Sequence, residues 1–182
     1  CDWSSDVCSS DLARRASAFG MTVVAVDAAH DSLTEEDLSA ACIETCWPPE
    51  RLDDLLGAAD FVCIAIPHTP QTERLFRRER FAKMKSTAYL INIGRGSNVV
   101  LDDLADALSD GVSGGAALAV FESEPLPAGH RLWKAPAFLM TPHIAAAGPH
   151  LEQRRLDLII DNCRRLARGE ELVNVVDKAN WF

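Results

Sequence analysis

Three residues of this 182-residue chain have the types needed to handle a proton and an anion, and each follows a short apolar run. They are Arg95 in "INIGRGSNV", Glu124 in "FESEPLP" and His143 in "TPHIAAAG". Glycines on both sides of Arg95 let its backbone approach a ligand closely, and a guanidinium held there can grip a carboxylate through two hydrogen bonds. An imidazole gives or takes a proton at neutral pH, and a nearby carboxylate stabilises its charged form. An arginine to orient an anionic substrate and a histidine–carboxylate pair to move a proton suit the reduction of a 2-keto acid, with a cofactor supplying hydride. Taken singly, each has a plainer reading: a solvated arginine in a turn, a surface acid beside a proline, a capped or partly buried histidine. Only their occurrence together points to chemistry.

The elements that would position them alternate. Apolar runs at 21–27, 61–67, 88–93, 114–121 and 137–143 read as buried strands. Residues 13–20 read as the back half of a helix. Further helical patterns span 48–56, 77–85, 101–110 and 151–169, the last ending near Gly169. This alternation predicts an α/β fold, a doubly wound parallel sheet covered on both faces. Ligands of such sheets sit outside the carboxyl ends of the strands. Asp27, His68, Arg95, Glu124 and His143 all fall there, and the long proline-rich loop 121–136 lies at the same edge. In a dinucleotide-binding sheet, an acid at the position of Asp27 accepts hydrogen bonds from the adenosine ribose and repels a 2′-phosphate. No arginine in "DAAHDS" offsets that repulsion, which favours NAD over NADP. Asp27 alone reads equally well as a solvated loop carboxylate.

The bulk numbers narrow the classes. The chain is 48% hydrophobic and 25% charged, enough for one domain with a sizeable core. A net charge of −9 and a pI near 5.0 argue against a nucleic-acid partner. No apolar run approaches the roughly 20 residues of a membrane helix. The six cysteines form no C-x-x-C pair, and Cys42 and Cys46 lack two further ligands at useful spacing. Reduced thiols, a cytoplasmic location and no metal are the expectation.

Four segments, in order, resemble the D-isomer-specific 2-hydroxyacid dehydrogenase family: "AADFVCIAIPHTPQTERLF", "FAKMKSTAYLINIGRGSNVVLDDLADAL", "GGAALAVFESEPLP" and "LMTPHIAAA". The tail "ELVNVVDKANWF" is similar to members acting on hydroxypyruvate, glyoxylate or phosphoglycerate, and the likeness spans about residues 13–182. The resemblance implies a Rossmann-like sheet, NAD as cofactor and a small 2-keto or 2-hydroxy acid as substrate. It implies that Arg95 binds the substrate carboxylate and carbonyl, His143 is the acid/base and Glu124 orients it. Asp27 would hold the adenosine ribose, with Pro67 and Thr72 lining the cofactor site. A homodimer of the full-length protein is implied as well. Ala119 stands where the family usually has an aspartate that bonds the nicotinamide carboxamide, so the ring would be held less firmly. A non-catalytic NAD(H)-sensing regulator, or a formate or phosphite dehydrogenase relative, are alternative readings on the same fold.

What precedes Ala13 does not match. "CDWSSDVCSSDL" has no glycine and no strand period, so it cannot supply the family's first strand or its G-x-G-x-x-G turn. It resembles a sequencing adapter translated in one frame and is expected to be non-native. The expected division is a non-native segment at 1–12, a partial NAD-binding domain at 13–150, and a helix and tail at 151–182 that would return to a substrate domain. The absent first strand would lie at the sheet's centre. The strands at 21–27 and 61–67 should then be left with a gap or pair directly.

Overall fold

A computed structural model describes residues 5–176 and 178. The opening helix α1 (Ser5–Ala18) runs through the polar segment into "ARRASA", which forms its back half. Asp11 holds it locally, accepting from Arg14 and Arg15 one turn on. Strand β1 (Val24–Val26) follows, ending at Asp27. Helix α2 (Glu35–Ala41) and strand β2 (Thr45–Trp47) come next; the sequence patterns did not reveal either. A capping box starts α2: the Asp37 N–H donates to Thr34 Oγ1, and Asp37 Oδ2 accepts the Thr34 N–H at 2.9 Å.

The second half follows the expected alternation with shorter elements. Helix α3 (Leu52–Ala58), strand β3 (Phe61–Ile64) and helix α4 (Arg78–Phe81) lead to strand β4 (Tyr89–Asn92). Helix α5 (Leu101–Ser109), strands β5 (Gly115–Leu118) and β6 (Phe138–Met140) and helix α6 (Leu151–Arg168) complete it. α6 ends on Gly169 at φ 69°, a left-handed cap that glycine adopts without strain.

All pairing is parallel, but it makes two sheets. β1 pairs with β2, while β3, β4, β5 and β6 form a four-stranded sheet in that order. The expected gap falls between β1 and β3. No described residue before β1 forms a strand to fill it.

One expectation is corrected. The strands are apolar on both sides, which reads as burial on both, yet the four-stranded sheet is covered on one face only. Val62, Ile64, Leu90, Ala116 and Leu118 are buried with Leu56, Phe81 and Leu104 from the helices. On the opposite face Phe61, Tyr89 and Leu139 remain 53%, 43% and 65% exposed. Phe61 and Tyr89 stack at 5.9 Å and, with Ile91 and Ala117, line an open apolar groove. Cys63 lies on that face as well, and its apolar surroundings push the thiol up to about 11. α6 buries none of its residues, and Leu156, Ile159 and Leu166 on it are exposed. Its tail folds back through Asn162, whose side chain exchanges two hydrogen bonds with Val173. The expectation for the tail beyond that point falls partly on residues 177 and 179–182, outside the described residues, as do residues 1–4.

Candidate active site

The carboxyl edge of the four-stranded sheet gathers the three residues singled out first. Arg95 lies three residues beyond β4, in a loop with no slack. A Cβ on Gly94 would stand 2.6 Å from the Ile66 carbonyl oxygen, and one on Gly96 would run into the Phe121 carbonyl group. These glycines are required by close approach to the protein's own backbone, whereas the spacing suggested an approach to a ligand. The Arg95 side chain is exposed, and its Nη1 donates to the Gly94 carbonyl at 2.9 Å.

Glu124 sits in the proline-rich loop after β5, and His143 lies three residues beyond β6. Glu124 Oε1 accepts the Phe121 N–H at 2.9 Å, and its Oε2 meets His143 Nδ1 at 2.9 Å. The Phe121 N–H is the main cause holding the Glu124 carboxyl below the usual carboxylate range; His143 and the Arg95 charge add to it. An ionised carboxylate has no proton to give, so the hydrogen of this bond is on Nδ1. That tautomer leaves Nε2 to exchange a proton with a ligand. Arg95, Glu124 and His143 thus share one electrostatic environment.

Further residues extend this edge. The loop from Pro67 to Thr72 is closed by the Thr72 hydroxyl, which donates to the Pro67 carbonyl at 2.7 Å and accepts the Thr69 N–H at 2.8 Å. Thr72 therefore fixes the shape of the loop. Arg74 at its end has φ 51° and pairs with Glu122 at 3.2 Å, tying the loop to the one that carries Glu124. Ala119 follows β5, half-buried, its N–H donating to the Asn92 carbonyl at 3.0 Å. Its methyl side chain has no hydrogen-bonding group to offer there.

Asp27 belongs to the other sheet. It is half-buried, its N–H donates to the Trp47 carbonyl at 3.1 Å, and its Oδ1 accepts the Ala29 N–H at 2.7 Å. The Arg51 guanidinium stacks on the neighbouring Trp47 ring, 3.9 Å from its centre.

Sequence reasoning missed two residues here, Asn92 and Asn98, both fully buried. Asn92 grips the Arg95 loop, and Asn98 Nδ2 reaches the Pro67 carbonyl at 3.4 Å. A signal existed: an asparagine closing the otherwise apolar run "AYLIN" has to find partners.

The residues fit a dinucleotide in part. A carboxylate at the end of β1 and a closed loop after β3 suit an adenosine ribose and its surroundings. A glycine turn for the pyrophosphate is not among the described residues.

The chain is similar to known proteins along most of its length. The family model described as "D-isomer specific 2-hydroxyacid dehydrogenase, NAD binding domain" matches residues 8–145. A glyoxylate reductase of Thermofilum pendens is 44% identical over 127 residues, 70% of this chain and 38% of that protein. Glyoxylate/hydroxypyruvate reductase A of Photorhabdus laumondii is 38% identical over 128 residues, 70% of this chain and 40% of its own length. Among solved structures, the NADPH-dependent glyoxylate/hydroxypyruvate reductase of Sinorhizobium meliloti, in complex with NADP and sulfate, superposes with a TM-score of 0.80 at 31% identity. That match covers 95% of this chain and 53% of the other. The chain spans less than half the length of these curated relatives. It belongs to the D-isomer-specific 2-hydroxyacid dehydrogenase family, and what it spans is part of that family's NAD-binding domain.

Proposed function

We propose that the full-length protein reduces a small 2-keto acid of the glyoxylate or hydroxypyruvate kind. The bound nicotinamide cofactor supplies the hydride. Arg95 holds the substrate carboxylate and carbonyl through its N–H groups. His143, protonated on both ring nitrogens, delivers the Nε2 proton to the carbonyl oxygen and is left neutral, while Glu124 keeps Nδ1–H engaged so that the ring presents Nε2. The observation that carries this reading is the 2.9 Å bond between an ionised Glu124 and His143, within reach of the Arg95 charge. Asp27 at the end of β1 supports NAD rather than NADP, because a 2′-phosphate would meet its carboxylate. Pro67, Thr72 and Ala119 line the cofactor side of the edge. The division at residues 12 and 150, a homodimer and a cytoplasmic location complete the proposal. No helix among the described residues is long and apolar enough to cross a membrane.

The test is to assay the full-length protein with NADH and with NADPH against glyoxylate and hydroxypyruvate. Turnover with a preference for NADH is expected. Equal use of NADPH would remove the role given to Asp27, and no turnover with NADH still bound would remove the catalytic reading.

A further inference from the structure

Asn92 ends β4 with none of its surface exposed. A buried amide needs partners for its donor and its acceptor, since either left unpaired loses its hydration without compensation. Both partners of Asn92 lie in the loop that carries Arg95. Its Oδ1 accepts the Gly94 N–H at 3.0 Å, and its Nδ2 donates to the Arg95 carbonyl at 3.0 Å. One bond needs an acceptor and the other a donor, on a side chain of this length; of the uncharged side chains only asparagine offers both. Its own carbonyl accepts the Ala119 N–H, which fixes the strand end against the end of β5.

The rest of the loop leaves this grip decisive. Gly94 is pressed against the Ile66 backbone and Gly96 against Phe121, so the loop has little room to settle elsewhere. Arg95 between them is extended, at φ −134° and ψ 145°, with an exposed side chain. The guanidinium bonds back to the Gly94 carbonyl of the same loop, so the direction in which the side chain leaves the sheet follows the loop's own backbone. The carbonyl that orients that backbone is the one Asn92 holds.

We infer that Asn92 is a positioning residue for Arg95: its buried amide aims the guanidinium and thereby sets the affinity for the substrate carboxylate. This rests on the reading of Arg95 as the carboxylate-binding group. It assigns a substrate-side effect to a residue that touches neither substrate nor cofactor.

The test uses the full-length protein with NADH bound and oxamate, an unreactive keto-acid mimic, titrated by NADH fluorescence. Asn92→Ser keeps an acceptor for the Gly94 N–H but cannot reach the Arg95 carbonyl; Asn92→Leu removes both bonds at similar volume. Both variants should raise the oxamate dissociation constant at least tenfold, with the NADH dissociation constant within twofold of the parent. In steady state the same variants should raise the substrate KM more than they lower kcat. Arg95→Ala separates the two ideas. If it leaves oxamate binding intact, the role given to Arg95 fails and this inference with it. If it abolishes binding while Asn92→Ser binds oxamate as the parent does, the inference alone is overturned. Parallel loss of NADH and oxamate binding, or loss of cooperative melting in both Asn92 variants, also overturns it, because Asn92 then serves the fold as a whole.

Discussion

Strands β1 and β4 are both short and largely apolar, and each leads to a residue of the proposed site, Asp27 directly after β1 and Arg95 three residues beyond β4. Their surroundings differ. β4 pairs on both sides and buries Leu90 and Asn92 completely, whereas β1 pairs only with β2 and all three of its residues are half-buried. The loop after β4 is clamped by Asn92, Gly94 and Gly96, while Asp27 is held by two backbone bonds and a turn of its own. Local sequence decides where a strand ends. The neighbours on either side decide how firmly its end residue is placed.

The largest effect that would sharpen this contrast is on stability. Leu104 is fully buried beneath the four-stranded sheet, so Leu104→Ala should cost about 2–5 kcal/mol in urea unfolding. Val26→Ala in β1 removes a half-exposed side chain and should cost about 1 kcal/mol. Equal losses would erase the distinction between the sheets. Hydrogen exchange gives the same comparison by residue: amides of β4 and β5 should outlast those of β1 and β2. A smaller effect concerns the cofactor edge. Ala119→Asp restores a hydrogen-bonding group and should tighten NADH about two- to tenfold, from roughly 0.5–1.5 kcal/mol per bond. An unchanged or weaker dissociation constant contradicts the role given to that position.

The smallest effect is the acid limb of the Glu124–His143 pair. Glu124 has a depressed pKa in the folded chain, so what its carboxylate contributes is complete above the ordinary glutamate range. It is lost as pH falls through the folded value, where protonation weakens the bonds to Phe121 and His143. An NMR titration of the Glu124 carboxyl should therefore show a midpoint below that of an ordinary glutamate. A midpoint at or above it would mean that the Phe121 N–H does not hold the carboxylate in solution.

Much of the site was legible because its residues are flanked by punctuation. Glycines frame Arg95, a proline follows Glu124 and another precedes His143, and each marks a loop just past an apolar run. The five strands of the central alternation were legible for the same reason. β2 was not, because three residues show no period, and α2 was missed with it, although the T-x-x-D of its capping box was a signal. The bare face was not legible either. Phe61, Tyr89 and Leu139 are apolar whether or not anything covers them, and a strand's own residues say nothing of what packs on it. Asn92 escaped because an asparagine at a strand end usually marks a solvated turn. Only its burial shows that the amide is an internal clamp.

The central claim is that Arg95, Glu124 and His143 form one proton-transferring site on the well-anchored sheet. It is tested most directly by His143→Asn in the full-length protein, with NADH affinity measured beside turnover of glyoxylate or hydroxypyruvate. The account predicts that turnover falls at least about a hundredfold, the scale of a lost general acid, while NADH binds as before. Turnover within a few-fold of the parent would contradict it.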